Sequence, residues 1–256
     1  MLVVIAAAAA LAGCRVDADV AVTLAEDGSG EVVVTVSLDP DAAARVPDLA
    51  DDLRVADLEA TGWEVTGPTE SDDGGVEVVA VKPFGDPEQG RAVLREIGGR
   101  GGILRGLTLD RDHTYGETTW RFAGRLDLSG GLGAFSDEDL DAVLGSETFG
   151  QDQAALEAEL GRPLAETMSV RVTASLPPGD LTTDGEADGA SSASWTADLG
   201  DDPVAMQASS RARDTTVWLL TAVSAGAVLL LAVLLVVRAI RGRARRRGDR
   251  GAALDG

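Results

Sequence analysis

Cysteine occurs once in this 256-residue chain, at Cys14, so an internal disulfide is excluded and the core must hold the fold unaided. Histidine also occurs once (His113), and lysine once (Lys82). One imidazole leaves any zinc site short of ligands, and no metal-ligand spacing is present. No GxSxG elbow occurs, so the sequence mark of a serine hydrolase is missing. Basic residues number 22 against 43 acidic ones, a formal net charge of −21. That balance argues against DNA or RNA as a partner.

The charge is unevenly spread. Residues 238–256 hold seven arginines and two aspartates, or +5, which leaves −26 for residues 15–214. Between the two lies the one long apolar run, residues 215–237, TTVWLLTAVSAGAVLLLAVLLVV, without a charged side chain. As a helix it would extend about 34 Å, enough to cross a hydrocarbon core of about 30 Å. Arg238, Arg241, Arg243, Arg245, Arg246, Arg247 and Arg250 follow it at once. Short arginine-rich flanks stay in the cytoplasm, so the tail is expected inside and residues 14–214 outside.

The opening MLVVIAAAAALAGC is a second apolar stretch, ending in Leu11-Ala12-Gly13-Cys14. It fits a bacterial lipobox: small residues before the cysteine admit the peptidase, and the thiol accepts a diacylglycerol. Residues 1–13 are thus expected to be a signal peptide and Cys14 a lipidation site. No basic residue precedes the run, unlike the usual signal-peptide start.

Between these ends, period-two alternation recurs. Residues 16–24 and 31–38 alternate apolar with polar across the turn signal Asp27-Gly28, which predicts a hairpin. Asp39-Pro40 opens a helical stretch to about residue 60, broken near Pro47. Residues 63–67 and 76–81 predict a second strand pair. Asp86-Pro87 caps a helix whose buried stripe is Val93, Leu94 and Ile97, and glycines 98 and 99 end it. Strands are expected at 103–111, 114–128, 168–176, 194–199 and 204–210. A short helix is expected from Ser136, another over 151–160, and a long surface loop over 177–194. The reading is an α+β domain with a mainly antiparallel sheet and a few covering helices, followed by one C-terminal transmembrane helix.

One stretch departs from the acidic background. Arg91, Arg95, Arg100, Arg105 and Arg111 face only Glu96 and Asp110 over residues 91–111. Arg91 and Arg95 are i,i+4 neighbours, and Arg105 shares strand parity with Ile103, Leu107 and Leu109. An arginine on an apolar face needs a partner. Two roles follow: internal pairing with carboxylates, or reception of an anionic lipid headgroup by Arg91, Arg95, Arg100 and Arg105. The cluster Asp137, Glu138, Asp139 and Asp141 lacks the alternation and central glycine of a calcium loop. The glycines of 98–102 follow a helix instead of opening one, the wrong order for a phosphate cradle. His113 lies in a tight connection and is expected to bond within that turn. Neither a catalytic residue, a metal site nor a cofactor is expected.

The lipobox, the hairpin-rich outer domain, GGILRGLTLDRDHTYGETTWRFAGRLDL (residues 101–128) and the terminal span with its arginine tail together resemble the actinobacterial LppM family. The resemblance implies an envelope lipoprotein whose outer domain, residues 14–214, binds lipids or lipoglycans such as phosphatidylinositol mannosides. It implies no particular binding residues. The expected function is therefore a non-catalytic, membrane-anchored lipid- or glycolipid-binding module at the cell envelope. The alternative is a protein-interaction scaffold without a lipid cavity. A closed apolar pocket with a polar mouth belongs to the first, a flat patch to the second.

Overall fold

Alternation builds the first hairpin. In β1 (Val16–Leu24), Val20, Val22 and Leu24 are buried while Asp19 and Thr23 are exposed. β2 (Gly30–Leu38) pairs with it antiparallel, Val20 opposite Val34. Gly28 turns the chain between them at φ 95°, a backbone state that a side chain would strain. The computed structural model describes residues 15–46, 55–98, 102–131, 163–213 and position 224. The signal segment 1–13, Cys14, Arg100, the helices expected from Ser136 and over 151–160, and the tail 238–256 lie outside those residues. So does the run 215–237, apart from Ser224.

The remaining strands are β3 (Glu64–Glu70), β4 (Val76–Phe84), β5 (Leu104–Thr114), β6 (Glu117–Leu126), β7 (Met168–Ser175), β8 (Asp180–Thr183), β9 (Glu186–Asp188), β10 (Ser192–Asp198) and β11 (Val204–Arg213). They form a seven-stranded sheet in the order β3-β4-β2-β1-β7-β10-β9 and a four-stranded sheet in the order β5-β6-β11-β8. Among the described residues helices are few: α1 (Pro40–Ala43), α2 (Val55–Ala60), α3 (Pro87–Gly98) and a 3-10 turn at Leu164–Glu166. Of the predicted helical stretch over 40–60, α1 and α2 are the described parts, and 47–54 lie outside the described residues. Asp39 caps α1 as expected, its side chain accepting from the Ala42 amide at 2.8 Å.

The large sheet is mainly antiparallel, as expected, with one parallel pairing that makes it mixed: β1 beside β7, Val16 beside Met168 through Thr23 beside Ser175. Alternation marks a strand but not its partner, and a parallel partner must be distant in sequence. The supposed loop 177–194 contains β8 and β9. Asp184-Gly185 lies between them, and the chain passes there from the small sheet to the large one.

Much of the large sheet's inner face is covered by the second sheet, with α3 packed on β2 and β4. One inner row runs straight across six strands: Val65, Ala80, Val34, Val20, Val172 and Trp195. Trp120, Phe122, Leu126 and Leu128 answer from the small sheet's side, all essentially fully buried, as their shared parity predicts. The Phe122 and Trp195 rings lie 5.8 Å apart, a tilted aromatic pair between the sheets. Lys82 also occupies an inner position, opposite Val32. Its ammonium is met by Glu96 of α3 at 2.6 Å, the Thr61 carbonyl at 2.7 Å and the Trp63 ring. An inward-facing cation is tolerable only with such partners.

β1 begins beside Met168, whereas β11 ends near the other end of β7: the Ser210 hydroxyl donates to the Pro177 carbonyl at 2.6 Å. By backbone contacts the chain divides into two units, Met1–Asp112 with Thr119–Ala212, and His113–Thr118 with Arg213–Gly256. Among the described residues no helix is long and apolar enough to cross a membrane.

The crossing at Asp184 can be tested. Its carboxylate accepts from Trp195 Nε1 at 2.9 Å and from the Gln207 amide at 2.8 Å, joining one strand of each sheet. Asp184→Ala removes the acceptor of a largely buried indole, and we expect a loss of about 1–3 kcal/mol in urea unfolding of the full chain in detergent. Asp184→Asn, which keeps an acceptor oxygen, should lose less.

Candidate functional site

The described part of the arginine-rich segment lies on α3 and β5. α3 starts where Asp86 accepts from the amides of Glu88 and Gln89, at 2.8 and 2.9 Å. Its buried side presents Val93 and Leu94, with Ile97 packed alongside, which leaves Arg91 and Arg95 on the outer side. Arg91 donates to the Leu109 carbonyl at 3.1 Å and to Asp110 at 3.2 Å. Arg95 Nε donates to the Arg91 carbonyl at 3.1 Å. Arg111 lies over the Trp120 ring, 4.8 Å from its centroid.

Arg105 does not point along the apolar face. Leu104 and Leu107 are both buried, and Gly106, at φ 60°, falls between them and shifts the alternation by one residue. Arg105 is therefore turned outward, half exposed, against the nearly buried carboxylate of Asp127 at 3.2 Å, and it donates to the Gly102 carbonyl. Of the two roles read from sequence, internal pairing is what the geometry contains for Arg91 and Arg105. Their carboxylate partners sit on different elements, and Arg105 and Asp110 are five residues apart, about 16 Å of strand. Among the described residues the segment holds two separate pairings, Arg91 with Asp110 and Arg105 with Asp127, and Arg100 lies outside those residues.

Asp127 is the better-held carboxylate. The Ser129 hydroxyl donates to it at 2.6 Å and the Ser129 amide at 3.2 Å. The hydroxyl first, then the amide, Arg105 and Arg125, hold its pKa below the ordinary carboxylate value. Asp27 and Asp73 are lowered in the same way, chiefly by the hydroxyls of Ser29 and Ser71.

Sequence reading missed a cleft of about 450 Å³ on the small sheet. On β6 the inward residues are Trp120, Phe122 and Leu126; on β11 they are Met206, Ala208 and Ser210. The outward positions between them bear Arg121, Ala123, Gln207 and Ser209, and β8 adds Thr182 opposite Ser209. Asp184 closes one side. The set offers a guanidinium, an amide, hydroxyls and a carboxylate within a volume that suits a small ligand. Arg121 has a distant carboxylate, Asp112 at 3.9 Å. What hid the cleft is its dispersion over three strands, one of them inside the supposed loop. Ordinary strand alternation was the available signal, and it says only which residues point outward.

His113 lies within the β5–β6 hairpin, its Nδ1 2.9 Å from the Thr118 hydroxyl, as the turn reading expects. Among the described residues no group of three or more His, Cys, Asp and Glu is placed to hold a metal ion. The acidic cluster around Asp139 lies outside them.

The class that the described residues define is a mixed, largely antiparallel β domain with few helices. No protein-family model matches the chain, and no curated protein sequence matches it. Among solved structures it is similar to the NMR structure of the folded domain of the Mycobacterium tuberculosis LppM protein. That match has 15% identity and a TM-score of 0.40, over 80% of this chain and 94% of the other. At that level neither residue roles nor function transfer.

The Asp127 cluster carries a pH prediction. Because its folded pKa is depressed below about 3.9, its contacts stabilise the fold fully above that value and are lost as pH falls through the folded pKa. Asp127→Asn should be less stable than the parent at neutral pH, and the gap should close in urea titrations run below about pH 4.

Proposed function

We propose that this chain is a non-catalytic envelope protein, held in the cell membrane with residues 14–214 outside, which binds the polar part of an envelope lipid or glycolipid. Anchoring rests on sequence: the lipobox ending at Cys14, the apolar run 215–237 and the seven arginines behind it, which set the C-terminus in the cytoplasm. Two attachment points raise the effective concentration of any membrane-borne ligand near the domain.

The observation that carries the binding reading is the cleft. Its outward side chains are mostly hydrogen-bonding, and Arg121 supplies a guanidinium suited to a phosphate or carboxylate. Phe122, Ala123 and Ala208 add apolar surface to that lining, against which the carbon face of a sugar can lie. In this reading Arg105 serves the fold through Asp127, and Arg121 replaces it as the headgroup residue. A second reading, a protein-interaction scaffold, is favoured by the packing between the sheets, where Trp120, Phe122 and Trp195 occupy space that acyl chains would need.

Native mass spectrometry of the full chain in detergent, with an actinobacterial envelope lipid extract, tests these readings. We expect a lipid bound one to one, and Arg121→Gln should weaken it about tenfold, the value of one charged hydrogen bond. Loss on Arg105→Gln instead would move the site to the start of β5. A parent chain that retains no lipid would favour the scaffold.

A further inference from the structure

The outer face of the seven-stranded sheet, turned away from the core, is built from short side chains. One row runs across its middle through Val81, Val33, Ala21, Thr173 and Ser194, each of them half-exposed. The charges of this strongly acidic domain stay off that row. Depletion of charge marks the centre of an interface, whereas a water-facing sheet row is ordinarily charged or polar. On the neighbouring row Asp19 and Arg171 stand side by side across the β1–β7 ladder, both exposed. Among the described residues their side chains have no hydrogen bond or ion pair.

Register decides what such a face can meet. A two-fold axis laid parallel to the strands, over the seam between β1 and β7, sets β1 against β7 of a second copy and keeps the strand directions. Asp19 and Arg171 are register partners, so the same axis places each Asp19 against Arg171 of the other copy. The two ion pairs fall near mid-strand, where the crossing of packed sheets, about −30°, displaces them least. Carboxylates further out fall near hydroxyls: Asp17 near Ser169 of the second copy, and Glu31, through β2 against β10, near Ser192. The face is therefore complementary to itself. At about 4.8 Å between strands and about 3.3 Å per residue, seven strands of nine residues offer roughly 29 by 30 Å, which the short edge strands reduce to about 800 Å². A stable complex buries about that much on each partner.

We propose that the outer face of the seven-stranded sheet is a homodimer interface, covered by the same face of a second copy and centred on reciprocal Asp19–Arg171 pairs. The cleft around Arg121 lies on the small sheet, so this contact leaves it open. The contact needs neither the ligand nor the membrane span.

The test is native mass spectrometry of the full chain in detergent, with Cys14→Ser in every sample so that no disulfide joins two chains. The parent should be a dimer. Asp19→Arg and Arg171→Asp each set like charges against one another at both pairs, and each should weaken the dimer about tenfold or more. The doubly exchanged chain, Asp19→Arg with Arg171→Asp, should regain the parent affinity to within about threefold. Thr108→Arg, on β5 of the other sheet, should leave the dimer intact. Circular dichroism checks that each variant folds, and if a charge reversal does not, Ala21→Arg serves in its place by wedging a long side chain into the centre of the contact. A monomeric parent overturns the proposal. A dimer that persists in the folded reversals or in Ala21→Arg overturns it too, because the copies then meet elsewhere. Loss in the single reversals without recovery in the exchanged chain overturns the Asp19–Arg171 centre.

Discussion

The parallel ladder between β1 and β7 is the constraint on which the rest depends. It joins strands about 150 residues apart and sets them at the centre of the seven-stranded sheet. On one side β2, β4 and β3 follow by hairpin-like pairings; on the other, β10 and β9 do. The inner row from Val65 to Trp195 is straight only because Val20 and Val172 are in register at that ladder. Closing so long a loop has an entropic cost that grows slowly with length, and burial on both sides offsets it.

The second sheet shares its core with that centre and is tied to it at one point by a carboxylate. Asp184 accepts from the Trp195 indole of the large sheet and the Gln207 amide of the small one, at the point where the chain passes between them. The same residue borders the cleft, so the group that registers the sheets also shapes the surface offered to a ligand. A cleft-lining side chain and a structural one are the same atoms here, which separates this cleft from the arginines of α3 and β5. Arg91 and Arg105 spend their charge on Asp110 and Asp127.

How much of this the sequence disclosed differs by feature. Local patterns were legible: the β1–β2 hairpin from alternation around Asp27-Gly28, the start of α3 from Asp86-Pro87, and the buried quartet Trp120, Phe122, Leu126 and Leu128 from parity. Arg105 was misread because a single glycine, Gly106, reverses parity within an otherwise regular strand. The β8–β9 segment read as a loop because its strands are four and three residues long, too short for alternation to register. The parallel pairing and the cleft are properties of which strands meet, and no window along the chain contains that information. The Asp184-Gly185 step was the one local clue to the crossing.

The ends of the domain have a mechanical consequence. β1 leaves at the Met168 end of β7, while β11 leaves near Pro177, beyond its other end. Tension drawn between the two termini therefore pulls along the strands, not across them. The β1 ladder, bonded on both sides to β2 and β7, would have to slide many hydrogen bonds at once instead of opening them one by one. A domain held in this way yields late under load, and its N-terminal strand, although first in the chain, would be among the last to leave.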